Sequence, residues 1–308
     1  MIHHPDQLFI GAPRGPSLSK TLAVIQSKLR TFCDFRGRRL LDVGCGSGTF
    51  TRLFAEHYEE VYAIDVQEKF LAMFRESVAG NNKFHILDMS ASQMKFPDGF
   101  FDTIVTIETL EHIPDLSRAV AECARVIRRG GELLLTVPNR YFPFENHGIR
   151  IGNWERHGRV PLLPWIPILH DRWSLARVFT VRDLDALFLP CGFQRKGVTY
   201  AWPTFEHGGN KLQPMLKPLF PLMRLLENSP LQFLGTSVIV KYTRGGWMDP
   251  CVSASIPQAL ESHRGARAPT SWSCSRPYEI RAQSTRWLNS AMTPSSPDLD
   301  GYYVCTIP

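Results

Sequence analysis

Glu108-Thr109-Leu110-Glu111-His112 places two carboxyl groups and an imidazole within five residues. Glu111 and His112 are the candidate catalytic pair, with His112 as general base because imidazole titrates near neutrality. The competing reading is that both only bond the loop and the helix start that follows. His147 and His170 are weaker rivals farther along the chain. A second set of residues suits binding. Glycines alternate at Gly44, Gly46 and Gly48, with Cys45 between the first two. Each removes a side chain where backbone must pass close to a ligand. Acids stand at Asp42, Asp65, Asp88 and Glu108, with Val66, Met89 and Ile107 beside them.

The elements that position these residues alternate regularly. Leu40, Leu41 and Val43 form an apolar strand that runs into the glycine turn, and Thr49–Ala55 has helical spacing. Such a turn is expected to present unpaired N–H groups to whatever binds above the sheet. Strands follow at 61–65, 84–88 and 101–107, then a helix over 116–127, a stop at Arg128-Arg129-Gly130-Gly131, and a strand over 132–139. The pattern predicts an α/β, doubly wound, mostly parallel sheet. Its ligand lies at the carboxyl ends of the strands, where the order reverses. Asp42, Asp65, Asp88 and Glu108 then share one rim.

The glycine spacing is G-x-G-x-G, not the dinucleotide pattern G-x-G-x-x-G. Asp42 would also repel a pyrophosphate. A ligand with positive charge fits better, and S-adenosylmethionine carries a sulfonium and an ammonium without any phosphate. The acid at Asp65 can accept ribose hydroxyls, a demand shared with nicotinamide enzymes.

Asp42-Val43-Gly44-Cys45-Gly46-Ser47-Gly48 resembles motif I of the class I S-adenosylmethionine-dependent methyltransferases, in particular the type-11 group. The resemblance implies a Rossmann-like sheet of seven strands whose last strand is antiparallel and lies beside the fifth. It implies S-adenosylmethionine as the cofactor. Gly44, Gly46 and Gly48 would then let its methionine part approach the backbone, Asp65 would hold its ribose, and Asp42, Cys45 and Val66 would be further cofactor-binding residues. Asp88 and Met89 would meet the adenine, and Ile107 and Glu108 the floor. The E-x-x-E-H run is similar to that of ubiquinone-biosynthesis O-methyltransferases, where these side chains are associated with a divalent metal. The overlapping run Leu110-Glu111-His112-Ile113-Pro114-Asp115 is common across methyltransferases of many substrates, so a structural role is favoured over a metal and no metal ligand is assigned. The expected reaction is methyl transfer to a small-molecule acceptor, at a hydroxyl oxygen. The alternatives are a nicotinamide-dependent oxidoreductase and a non-catalytic nucleoside-binding protein of the same fold.

The 308 residues are 44% apolar and carry a net charge of +6. That charge is mild, and no dense basic block with interleaved aromatics supports nucleic acid as a partner. The seven cysteines are scattered without a C-x-x-C pair, which leaves a zinc site unsupported and fits reduced thiols in the cytoplasm. Residues 1–36 read as a helical lead-in, with a helix over Ser17 to Phe32, and 37–243 as the cofactor-binding domain. Within it, 140–178 reads as a substrate lid rich in aromatics and proline, suited to an apolar or planar substrate or packed only on itself. Thr180-Val181-Arg182-Asp183 marks a helix start. Lys211–Leu226 reads as packed structure or as a peripheral membrane contact. Residues 244–308 read as a tail of low order.

Overall fold

The computed structural model describes residues 27–29, 32, 35–157, 160–202 and 225–245. In chain order the strands are β1 (Gly37–Val43), β2 (Tyr58–Asp65), β3 (Phe84–Asp88), β4 (Phe101–Ile107) and β5 (Ile127–Pro138). Four short strands follow: β6 (Phe144–Glu145), β7 (Ile149–Ile151), β8 (Trp154–Arg156) and β9 (Val160–Pro161). The last two are β10 (Phe193–Ala201) and β11 (Ser237–Arg244). The helices are α1 (Thr49–Ala55), α2 (Glu68–Ser77), α3 (Leu116–Val126), α4 (Pro167–Trp173) and α5 (Val181–Phe188).

Seven strands form one sheet in the order β10-β11-β5-β4-β1-β2-β3. Strands β1 to β5 pair in parallel, and β11 is antiparallel to both β5 and β10. The chain winds outward from β1 to β3 and then returns to β4 on the other side of β1. The order therefore reverses between β1 and β4, and a crevice opens at their carboxyl ends.

Both faces of the sheet are covered, which explains the continuous apolar runs. Leu133 and Leu135 pack on one face with Ile104, Val240 and Tyr242, while Leu134 packs on the other with Leu40, Val61 and Ile239. Helix α3 buries Leu116, Ala119, Val120, Cys123 and Ala124, a helical stripe turned to the first of these faces. Helix α5 opens with the capping box its sequence predicts: Thr180 Oγ1 accepts from the Asp183 N–H at 3.2 Å, and Asp183 accepts from the Thr180 N–H at 2.8 Å.

Two boundaries differ from expectation. Strand β5 starts at Ile127, but its register on β4 jumps from Phe101–Ile127 to Thr103–Glu132. Arg128–Gly131 is looped out of the pairing, with Gly130 at φ +73°, so it stops the helix without breaking the strand. At the other end β11 runs to Arg244, the first residue of the expected tail. The Arg244 guanidinium donates to Cys191 O at 2.7 Å and Ala124 O at 3.1 Å, which anchors it in the domain. The rest of that tail lies outside the described residues, as do most of the expected Ser17–Phe32 helix and all of Lys211–Leu226 but its last two residues.

The segment 140–178 leaves and rejoins the sheet at one place. Asn139 and Phe179 form a bridge, with the Arg140 N–H on Phe179 O at 3.0 Å and the Phe179 N–H on Pro138 O at 2.9 Å. Between them lie the β6–β9 ribbon, the β7–β8 hairpin and α4. Among the described residues no helix is long and apolar enough to cross a membrane.

Candidate functional site

The turn after β1 is left-handed at its glycines: Gly44, Gly46 and Gly48 have φ of +77°, +51° and +75°, a region that side chains disfavour. Their surroundings differ. A Cβ on Gly44 would fall 2.1 Å from Thr109 Cγ2 and one on Gly48 2.2 Å from Phe74 Cδ2, whereas one on Gly46 would meet nothing within 4 Å. Gly44 and Gly48 serve packing, and Gly46 borders open space. Four donors of this turn are already used. Gly44 and Cys45 donate to Ile64 O at 2.8 and 3.1 Å, and Gly48 to Cys45 O at 2.9 Å. Gly46 donates to Asp65 Oδ2 at 2.9 Å. The expected unpaired N–H groups are absent at these four residues, because the end of β2 absorbs three of them and the turn itself the fourth. A phosphate needs such donors; this turn offers it bare backbone beside a carboxylate.

The acids take separate roles. Asp42 is 2% exposed and accepts a 2.6 Å hydrogen bond from Thr51 Oγ1 of α1. Burial, with a smaller contribution from Asp65, pushes its carboxyl up to about 7 against the pull of Thr51. Asp42 therefore fastens α1 to β1 and does not present its charge at the surface, contrary to expectation. Asp65 is half-buried. Its Oδ1 accepts from the Gln67 N–H at 3.0 Å while Oδ2 holds Gly46. Asp88 is exposed and stands opposite Asp65 in the β2–β3 register. Val66 is 55% exposed. Met89 donates its N–H to Asp65 O at 3.0 Å. Cys45 is buried, which pushes its thiol pKa up. Ile107 is buried at the end of β4.

Just beyond β4 the chain turns sharply at Glu108, where φ is +50°. Its carboxylate accepts from Thr136 Oγ1 at 2.9 Å, and burial raises its pKa. Leu110–His112 then form a 3-10 turn. Glu111 is 1% exposed, yet neither of its carboxylate oxygens has a hydrogen-bond partner. Burial, Glu108 and Glu145 together push its pKa well up. His112 Nε2 lies 3.8 Å from Glu111 Oε1. His147 Nε2, from the insertion, lies 3.9 Å from the same oxygen. The two imidazoles stand edge to face with centroids 5.4 Å apart.

Glu145 sets the orientation of His147. Its Oε1 accepts from the His147 backbone N–H at 2.7 Å and from Nδ1 at 3.1 Å. Its Oε2 accepts from His170 Nε2 at 2.6 Å. Burial alone would raise the Glu145 carboxyl, but His147 and His170 hold it down to about 2. Burial likewise opposes the His170 charge, but Asp171 and Glu145 leave its pKa raised. The structure thus joins His112 and His147, read from sequence as rivals, around Glu111. His170 stands behind them, linked through Glu145.

The sequence pattern described as Methyltransferase domain matches residues 41–135, the span from β1 to β5 that builds this rim. Residues 41–135 therefore resemble the domain of class I S-adenosylmethionine-dependent methyltransferases. A ubiquinone biosynthesis O-methyltransferase of Aromatoleum aromaticum is 35% identical over 108 residues, 34% of this chain and 46% of the relative. A probable S-adenosylmethionine-dependent methyltransferase of Mycobacterium tuberculosis is 32% identical over 117 residues, 38% of this chain and 41% of the relative. The chain thus spans less than half the length of these curated relatives. Solved structures extend the likeness in fold. A methyltransferase of Mesorhizobium loti has a TM-score of 0.51 at 19% identity and covers 72% of this chain and 98% of its own. A (4+2) cyclase also reaches 0.51 at 19% identity, covering 75% and 83%, so the fold by itself does not fix the reaction.

Sequence reasoning missed Glu145 in this candidate site and did not group His147, read only as a rival base, with Glu111. Glu145 and His147 lie beyond β5, and no periodicity ties them to Glu111. The short Glu145-x-His147 spacing, with His170 downstream, is the only signal they leave. The divalent metal implied by the E-x-x-E-H resemblance can be tested on the donor set. Glu111, His112 and His147 place ligand atoms within 4.8 Å of one another, and the orphaned Glu111 oxygens suit a cation. Glu108 is not in this group; its carboxylate accepts from Thr136 Oγ1 instead. The residues fit a divalent ion with a different third ligand from the one the motif implies.

Proposed function

We propose that this chain transfers a methyl group from S-adenosylmethionine to a hydroxyl oxygen of a small-molecule acceptor. The observation that carries the reading is the open space at Gly46, bordered by Asp65, with the Glu111–His112 turn following β4 through Thr109, whose side chain packs on Gly44. S-adenosylmethionine brings a methyl already activated on a positive sulfur, so the protein must chiefly align it and manage one proton.

Asp65 spends two acceptor positions on Gly46 and Gln67. A carboxylate offers about four, which leaves capacity for both ribose hydroxyls. Val66, Asp88 and Met89 extend along the adenine side, and Ile107 and Glu108 form the floor. Asp42 contributes at one remove, by holding α1 to the strand that carries the turn. As the acceptor oxygen gains its methyl it must lose its proton, and the Glu111–His112 pair is the place where that proton leaves. This need favours a hydroxyl over an amine, whose proton can depart after transfer.

Calorimetry with S-adenosylhomocysteine and with NADH tests the donor side. Tight binding of the first and none of the second is expected, and the reverse would return the nicotinamide reading. Methyl transfer from labelled S-adenosylmethionine to quinol, phenolic, glycan, lipid and amine acceptors tests the other side. Labelling of amines alone would overturn the hydroxyl assignment.

A further inference from the structure

We propose that Glu111, His112 and the insertion residue His147 bind one divalent transition-metal ion, with Glu145 as the positioning residue that aims His147 at it. The inference rests on the proposed methyltransfer at this rim and says how the Glu111–His112 pair acts there. Glu111 carries the case. A carboxylate 1% exposed with neither oxygen hydrogen-bonded is costly, and two imidazole nitrogens face it at 3.8 and 3.9 Å. Those gaps are too long for hydrogen bonds and suit an ion between the atoms.

Ligand bonds of about 2.0–2.2 Å put neighbouring ligand atoms about 3.3 Å apart, so the group contracts as it loads. The contraction falls on the insertion. Glu111 and His112 sit on the 3-10 turn fixed to β4, whereas His147 lies between the short strands β6 and β7. Glu145 accepts from His147 Nδ1 and turns Nε2 toward Glu111. A carboxylate behind a ligating imidazole fixes the ring and raises its basicity. Cation binding therefore pins the insertion to the rim. Two imidazoles and one carboxylate select zinc, cobalt or iron over magnesium. A bound ion of this kind supplies Lewis acidity to a hydroxyl oxygen.

The test uses the full chain stripped with a chelator and titrated with Co²⁺, read by its visible absorption, with Zn²⁺ competing. One saturable equivalent per chain is expected, with absorption bands of low coordination number. His147→Gln should weaken binding at least tenfold and change the spectrum. Glu145→Gln keeps all three ligands and should weaken it about 10–100-fold; His157→Gln, on the exposed face of the insertion, should leave it unchanged. Zn²⁺ should slow proteolysis within 140–178 in wild type and not in His147→Gln. S-adenosylhomocysteine affinity, measured without metal, checks that each variant is folded; Glu145→Gln carries the test if His147→Gln is not. Absence of saturable Co²⁺ binding, or equal binding by wild type and both variants, overturns the metal site. Such a failure with S-adenosylhomocysteine binding intact leaves the methyltransferase reading standing, whereas loss of that binding in wild type defeats the parent reading itself.

Discussion

Replacing Gly46 by alanine separates the ligand-facing glycine from the packing glycines. At Gly46 the new methyl meets nothing within 4 Å, so the stability cost comes from the backbone at φ +51°. That conformation costs about 1–2 kcal/mol, and the stiffer unfolded chain returns about 0.4–1 kcal/mol. The net is about 1 kcal/mol. At Gly48 the same backbone cost is joined by a collision at 2.2 Å with the ring of Phe74, which is fully buried. Overpacking of this sort adds about 1–3 kcal/mol, for a loss of about 2–4 kcal/mol. Urea unfolding followed by far-UV circular dichroism should rank Gly48→Ala well below Gly46→Ala. Calorimetry with S-adenosylhomocysteine should show a second difference. A methyl in the open space at Gly46 should weaken Gly46→Ala at least tenfold, or about 1.4 kcal/mol, although its fold is nearly intact. Wild-type affinity in Gly46→Ala would place the cofactor elsewhere. Equal stability losses at the two positions would refute the assignment of Gly48 to packing.

Three further outcomes follow from the same geometry. Asp42 has its pKa raised from 3.8 to about 7, so between those values the folded chain holds a proton that the unfolded chain releases, and stability falls as pH rises. At about 1.4 kcal/mol for each pH unit between them, the fall is about 4 kcal/mol; Asp42→Asn, which keeps an acceptor for Thr51, should flatten a pH 4–8 denaturation series, and an unchanged slope would clear Asp42. Asp65→Ala should weaken S-adenosylhomocysteine by about 1–3 kcal/mol through unpaired hydroxyls, and unchanged calorimetric affinity would remove Asp65 from the site. A chain ending at Tyr242 should melt several degrees below one ending at Gly245, since about 1.5–3 kcal/mol of charged hydrogen bonds leave with Arg244; matching melting temperatures would show that Arg244 anchors nothing.

The sheet was readable because its strands are buried on both faces. Leu40, Leu41, Ile104 and Leu133–Leu135 form apolar runs that allow few other placements. That the acids ending successive strands share one rim could be inferred from the βα alternation, whereas the reversal between β1 and β4 is visible only in the strand order. The direction of individual side chains was not readable. Asp42 turns to Thr51 because a threonine one helical turn into α1 can reach it, a contact that no strand pattern reports. Three donors of the glycine turn are satisfied by Ile64 and Asp65, residues of a neighbouring strand. The grouping of Glu111 with His147 depends on how a long insertion folds back over the rim, and neither the 2.0 nor the 3.6 residue period carries that information. Arg128–Gly131 was legible as a breaker, but only the β4–β5 register reveals that the strand resumes beyond it.

The bridge between Asn139 and Phe179 has an evolutionary consequence. Because 140–178 departs and returns through adjacent residues, it can lengthen, shorten or be exchanged for a foreign segment without re-registering any strand. Selection can therefore rewrite what sits above the rim while the glycine turn at its base, where the methyl donor is proposed to bind, is inherited unchanged. A chimera with a transplanted segment spliced at those two positions would inherit one ancestor's donor and the other's choice of partner molecule.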